Sequence, residues 1–222
     1  MLDRLLDLYN DTVERVVIVV NPAFAEDVRH HVASRRDAAR IECAEQPVPT
    51  GMLDAILLGL PAAERYQPSS VWVTWCDQVA VHPKTIERLA TRTRSDAHDA
   101  LVMPTVMRHH PYIHLERDAS GRITRVLHRR EGDAMPETGE SDMGLFAMSV
   151  RAFRELLPKY AREVEVGAGT GERNFLPFIP WLARMDTIAT FPCEDPMEAV
   201  GINTPEELGM VERYLLSLSP EP

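Results

Sequence analysis

Apolar positions along this chain recur with two different spacings, and the changes between them divide the sequence into elements. Leu2, Leu5, Leu6 and Tyr9 fall on one face of a helix over residues 2 to about 10. Val16-Val-Ile-Val-Val20 is a continuous apolar run, the pattern of a strand covered on both faces of a parallel sheet. Asn21-Pro22 ends it, and Val28 and Val32 mark the helix that follows. Arg40-Ile-Glu-Cys43 reads as a short second strand, Met52 to Leu60 as a helix, and Val71 to Cys76 as a third strand. Pro83 to Ala90 is a helix with proline in its first turn, and Ala100-Leu-Val-Met103 is a fourth strand. Strands alternating with helices predict right-handed βαβ units and an α/β fold with a mostly parallel, Rossmann-like sheet.

The middle of the chain changes period. Tyr112 to Glu116 and Arg122 to His128 alternate apolar and polar residues around Asp118-Ala-Ser-Gly121, which predicts an antiparallel hairpin lobe. Ser141 to Met148 reads as another strand, Val150 to Leu157 as a helix, residues 161–171 as an exposed loop, Phe175 to Leu182 as a helix and Thr187 to Phe191 as a strand. Thr204-Pro-Glu-Glu207 is a capping box, and Leu208, Val211, Leu215 and Leu218 mark the expected buried face of the last helix.

The chain has 222 residues, which suits a single domain spanning 1–222. A net charge of -10 disfavours nonspecific nucleic-acid and anionic-membrane partners. No apolar run approaches ~20 residues, so no membrane span is expected, and the charged, amphipathic start is not a signal peptide. Cys43, Cys76 and Cys193 form no CxxC pair and read as reduced, buried thiols of a cytoplasmic protein.

Ligands of open α/β sheets sit beyond the carboxyl ends of the strands, where Asp77 and the segment from Gln46 to Gly51 fall. Read singly, Asp77 is as well explained by a turn or a helix cap, and Asn203 by an N-cap beside Thr204. His109, His110 and His114 match no standard zinc spacing and are interrupted by Pro111. Gly167-Ala-Gly-Thr-Gly171 lacks the ending of a phosphate loop and reads as a flexible loop.

Four segments carry a family resemblance: Glu45-Gln-Pro-Val-Pro-Thr-Gly51, Val73-Thr-Trp-Cys-Asp77, Gly121-Arg-Ile-Thr-Arg-Val-Leu-His128 and Glu194-Asp-Pro-Met-Glu-Ala-Val-Gly-Ile-Asn-Thr-Pro205. In this order they resemble the nucleotide-sugar pyrophosphorylases, above all the uridylyltransferase domain of N-acetylglucosamine-1-phosphate uridylyltransferases. The molybdenum-cofactor guanylyl- and cytidylyltransferases are more distant relatives. The resemblance implies a glycosyltransferase-A-like nucleotidyltransferase fold, with a nucleotide half over about 1–108 and an acceptor half over about 109–222. It implies transfer of a nucleoside monophosphate from a nucleoside triphosphate to a sugar-1-phosphate or similar phosphorylated acceptor, releasing pyrophosphate. Asp77 and Asn203 would hold Mg2+, which takes hard oxygen ligands. Gln46 would read a base edge. Thr50 and Gly51 would offer amides to the nucleotide, whereas Pro49 has none. Tyr112, Asp142, Gly144 and Glu172 would face the acceptor.

The departures from that family are equally specific. Its opening strand and Leu-Ala-Ala-Gly-x-Gly-x-Arg loop have no counterpart, since the first glycine is Gly51. The absent strand would lie between Val16–Val20 and Val71–Cys76, and its loss leaves two edges with unpaired amides and carbonyls. Three expectations follow: the strand lies upstream, the sheet closes differently, or a homo-oligomer or strand-donating partner completes it. His128 stands where a sugar-binding glutamate is usual, Asp142-Met-Gly144 replaces Asn-Thr-Gly, and Arg173-Asn174 replaces aromatic residues. The alternative function is a non-catalytic relative acting as a binding or regulatory module. A glycosyltransferase is disfavoured because no Asp-x-Asp follows a strand.

Overall fold

A computed structural model describes residues 1–95 and 99–218. Helix α1 (Leu2–Leu8) leads into β1 (Val16–Val20), and α2 (Ala25–Ala33) carries the chain to β2 (Ile41–Glu45), which pairs with β1 in parallel. Two short helices, α3 (Met52–Leu57) and α4 (Leu60–Tyr66), precede β3 (Ser70–Thr74). After α5 (Pro83–Ser95) come β4 (Leu101–His109), the hairpin β5 (Ile113–Arg117) and β6 (Ile123–His128), then β7 (Thr138–Asp142) and β8 (Leu145–Ser149). The chain closes with α6 (Leu157–Glu163), α7 (Phe178–Leu182), β9 (Ile188–Pro192) and α8 (Pro205–Leu218).

The larger sheet is mixed, ordered β3-β8-β4-β7, with β9 parallel to the first half of β4. Fully buried Phe146, Phe153, Phe178 and Leu101 centre the core on one side of it. Val79 to Val81, Leu89 and Val211 centre the other. Leu6, Val32 and Ile41 form a small third cluster at the β1–β2 pair.

Prolines and one glycine explain most differences from the sequence expectations. Pro61 has no amide hydrogen for the carbonyl of Leu57, so the single helix expected over Met52–Leu60 breaks into α3 and α4. Pro158 leaves the carbonyl of Arg154 without its usual donor, and the chain passes through a π-turn at Ala152–Leu156 before α6. Residues 161–163 therefore lie in α6 rather than in the expected loop. With Pro177 at its N-cap, α7 begins at Phe178 rather than Phe175. The strand expected over Ser141–Met148 is two strands. Gly144 has φ +67, and a Cβ there would lie 2.1 Å from Trp75 Cδ1, so the chain turns and lets the indole pack over it. The capping box of α8 forms, with Thr204 N–H donating to Glu207 Oε2 at 2.9 Å and Glu207 N–H to Thr204 Oγ1 at 3.2 Å. Its buried face is narrower than the spacing suggests: Val211 is buried, whereas Leu208 and Leu218 are exposed. The cysteines are free but not buried: Cys76 is exposed, and Cys43 and Cys193 are half-buried.

Glu198 is fully buried, in a turn (Pro196–Ala199) opened by a second capping box on Asp195. Its carboxylate accepts N–H bonds from His82 at 2.9 Å, Glu194 at 3.0 Å and Asp195 at 3.1 Å. The loop after β3 is thereby tied to the segment leading into α8. Replacing Glu198 with alanine strands three backbone donors, each costing about 1–3 kcal/mol when buried without an acceptor. Urea denaturation of Glu198→Ala is expected to show a loss of at least about 3 kcal/mol, and Glu198→Gln, which keeps one acceptor oxygen, a smaller one.

Candidate active site

A trough of about 2070 Å³ runs between the β1–β2 pair and the larger sheet. Of the residues singled out from sequence, Gln46, Asp77, Tyr112, Asp142, Gly144, Glu172 and Asn203 line it, and Thr50 and Gly51 do not.

At one end, the loop after β3 meets the segment before α8. Ile202 N–H donates to the Asp77 carbonyl at 3.2 Å. The Asn203 side chain lies close enough to the Asp77 carboxyl to favour its charged form. Half-burial raises the Asp77 carboxyl above the ordinary carboxylate range, against the pull of its hydrogen bonds, and the charge of Glu207 pushes the same way. Gly201 permits the approach, because a Cβ there would fall 2.5 Å from Asp77 Oδ2. The same point lies 3.2 Å from Gln78 Nε2. Gln78 is 7% exposed, and its Oε1 is buried without a hydrogen-bond partner among the described residues. A carboxylate and an amide side chain supply hard-oxygen donors, which suit magnesium rather than a soft transition metal. Among the described residues no cluster of three or more His, Cys, Asp or Glu side chains forms a metal cage. Such a site suits an ion whose remaining ligands are water and phosphate oxygens.

Gln46 follows β2. Its N–H donates to the Val20 carbonyl at 3.0 Å and its Nε2 to the Gly51 carbonyl at 3.1 Å. Thr50 gives its N–H to Val48 at 2.9 Å, and its carbonyl accepts Arg173 N–H at 2.8 Å. The Arg173 guanidinium ties that turn to Asp54 and to the Ala161 carbonyl.

At the other end, Asp142 Oδ2 accepts Gly144 N–H at 2.8 Å, and burial raises this carboxyl. Glu172 sits 3.9 Å from Arg130. Tyr112 stands edge-on to His128, with ring centroids 5.1 Å apart. Asn174 Nδ2 lies 2.9 Å from His128 Nδ1 and donates to the neutral ring, while Asn174 Oδ1 is buried without a partner among the described residues. The 167–171 loop, expected to be flexible, is fastened by Glu131, which accepts Gly169 N–H at 2.7 Å and the Thr170 hydroxyl at 2.6 Å.

Gln78 and Gly201 are parts of the site that the sequence does not single out, whereas His128 and Asn174 stand out there only as departures from the family pattern. Gly201 carried a signal, since it lies two residues before Asn203 in the quoted closing segment. Gln78 carried none beyond adjacency to Asp77.

Solved structures share this architecture. The 4-diphosphocytidyl-2C-methyl-D-erythritol synthase of Anaerococcus prevotii aligns over 97% of this chain and 86% of that one, with TM-score 0.64 and 12% identity. HddC of Yersinia pseudotuberculosis aligns over 96% and 84%, with TM-score 0.60 and 16% identity. The same protein complexed with GMP-PN aligns over 98% and 83%, with TM-score 0.56 and 14% identity. The fold is thus that of the nucleotidyltransferases. More narrowly, the chain belongs to the MobA-like NTP transferase domain family, which it matches over residues 1–141. It is also 25% identical over 216 residues to the bifunctional protein GlmU of Micrococcus luteus, covering 91% of this chain but only 42% of that protein. Among the described residues no helix is long and apolar enough to cross a membrane.

Burial, chiefly, holds His128 below the ordinary imidazole value of 6.5. The unfolded chain therefore takes up this proton first as pH falls, and stability is lost from about pH 6.5 downward. NMR titration should show His128 titrating below that value, and His128→Gln should flatten the acid limb of the stability profile.

Proposed function

We propose that the protein is a magnesium-dependent nucleotidyltransferase that moves a nucleoside monophosphate from a nucleoside triphosphate to a sugar-1-phosphate or similar phosphorylated acceptor. The observation that carries this reading is the convergence of Asp77 and Asn203 at the rim of one trough, where the Ile202 N–H to Asp77 carbonyl bond joins segments distant in sequence. The family membership and the likeness to GlmU support it.

In this reading Asp77 and Asn203 hold the ion. The ion, when bound, neutralises phosphate charge. The acceptor phosphate oxygen attacks the α-phosphorus, the new P–O bond forms, and the bond to pyrophosphate breaks. The protein contributes position and charge rather than a covalent intermediate. Gln46, with one Nε2 hydrogen engaged by Gly51, keeps its second N–H and its carbonyl oxygen to read a base edge. Thr50 and Gly51 shape the turn behind it, with the residues up to about 108 serving the nucleotide. Tyr112, Asp142, Gly144 and Glu172, in the half from about 109, serve the acceptor. His128 and Asn174 add a neutral imidazole and a free amide oxygen, suited to hydroxyl or amine groups. Free thiols and a net charge of -10 fit a cytoplasmic protein with small-molecule partners.

One feature favours a second reading, a nucleotide-binding module without turnover. The Pro49-Thr50-Gly51 turn has little to give a phosphate, because Pro49 has no N–H and Thr50 N–H is taken by Val48. Binding of a nucleoside triphosphate without pyrophosphate release would select this alternative.

Calorimetry with each nucleoside triphosphate and magnesium, beside a pyrophosphate-release assay, tests the proposal. Asp77→Asn and Asn203→Ala are each expected to weaken metal-dependent nucleotide affinity at least about tenfold, roughly 1.4 kcal/mol, with unchanged circular dichroism. Gly201→Ala, which crowds Asp77 Oδ2, should act in the same direction. Unaltered affinity in Asp77→Asn would remove the ligand role.

A further inference from the structure

The geometry points to Arg108 as a phosphate-binding residue of the trough, its guanidinium receiving the phosphate of the acceptor between the Asp77 rim and Asp142. That the phosphate is the acceptor's rests on the nucleotidyl-transfer reading. The anion site itself does not.

A phosphate entering this trough meets acidic walls. Asp77, Asp142, Glu172 and Glu207 line it, in a chain of net charge -10. Like charges repel an anion unless fixed positive charge stands close by. Arg15, Arg94, Arg108 and Arg130 also line the trough, and no lysine does. Three of these arginines lie away from the rim. Arg15 precedes β1, at the end opposite Gln46, and its Nη1 donates to the Ala39 carbonyl at 2.8 Å. Arg94 is in the last turn of α5, about three turns beyond the loop that begins at Asp77. Arg130 follows β6 and stands 3.9 Å from Glu172.

Arg108 is placed differently. It is half-buried near the end of β4, a strand held by β7, β8 and β9. Its Nη2 donates to the Ala199 carbonyl. Ale199 is two residues before Gly201, and a Cβ at Gly201 would fall 2.5 Å from Asp77 Oδ2. Two residues of chain span at most about 7 Å, so the guanidinium stands beside the rim. Its charge also reaches Asp142, where it opposes the rise that burial imposes on that carboxyl.

The donor count leaves room for a ligand. A guanidinium carries five N–H groups in a planar fork. Among the described residues Ala199 takes one of them, and no carboxylate pairs with Arg108 at ion-pair distance. A positive charge partly withdrawn from water is costly until an anion completes it. Phosphate oxygens match the fork in pairs, which a single carbonyl does not. The position between Asp77 and Asp142 favours the acceptor's phosphate over the pyrophosphate end of a nucleotide.

NMR of assigned arginine Nε–H resonances in the purified full chain reads the site directly. Titration with inorganic phosphate is expected to shift Arg108 at a concentration at least about tenfold lower than it shifts Arg15. Sodium chloride at matched ionic strength should leave Arg108 in place. By calorimetry, Arg108→Gln should weaken phosphate affinity at least about tenfold, and Arg108→Lys, which keeps the charge without the fork, should recover part of it. Arg15→Gln should leave phosphate affinity unchanged. Equal responses of Arg108 and Arg15 to phosphate would overturn the proposal, whether or not the Arg108 variants fold. A shift with inorganic pyrophosphate but none with phosphate would overturn the assignment to the acceptor. A selective phosphate shift in a protein that releases no pyrophosphate from any nucleotide would remove the transfer reading and uphold the anion site.

Discussion

Glu198 sits out of reach of solvent where three backbone amides converge, and the geometry of the candidate site follows from that arrangement. A buried carboxylate is costly unless its lone pairs are used, and here the His82 amide brings in the far end of the loop that begins at Asp77. The Glu194 and Asp195 amides fix the other segment, which runs through Gly201 to Asn203. With both segments pinned, Ile202 can close on the Asp77 carbonyl and Asn203 on its carboxyl. The contact at the rim thus rests on a buried anchor. Arg108 reinforces it from β4 by donating to the Ala199 carbonyl. Arg4 holds α1 onto the same loop through the Val79 carbonyl at 2.8 Å.

The fold was legible wherever a local signal governs the backbone. The apolar run of β1, the hairpin around Asp118 and the capping box of α8 each formed as the pattern indicates. Asp118 shows why: its carboxylate accepts the Ser120 and Arg122 amides within the turn, so the information is local. Helix continuity was misread where proline removed one donor from an otherwise periodic stretch, at Pro61 and Pro158. The strand break at Gly144 was hidden because its cause is tertiary: Trp75, far away in sequence, lies where a Cβ would be.

The site divides along the same line. Asp77 and Asn203 were visible as residue types in a familiar order, and the fold sets them side by side. Glu198 was overlooked because a glutamate in Pro-Met-Glu-Ala reads as surface; only the Asp195-x-x-Glu198 spacing hinted at a cap. Gln78 could not be distinguished from any neighbour of Asp77, since an orphaned buried oxygen is a property of packing. At the other end of the trough, Asp142 is occupied by its own turn at Gly144, and Glu172 lies beside Arg130. Hydrogen-bonding capacity there shifts toward Asn174 and the neutral His128, which single-residue reasoning had no means to rank.

The split sheet bears on both ends of the trough. In open α/β folds the ligand sits where strand ends diverge, and the stiffness of those ends comes from neighbours on both edges. β3, which delivers Trp75 and Asp77, has such a neighbour on one side only, as does β1, which leads toward the Gln46 end through its pairing with β2. Exposed edges of this kind are the least protected part of a sheet, and here they adjoin the candidate site. The polar network around Glu198 braces Asp77 from the opposite direction, through loops rather than through the sheet. That division of labour accounts for a rim that is well ordered by hydrogen bonds although the strand feeding it has an open edge.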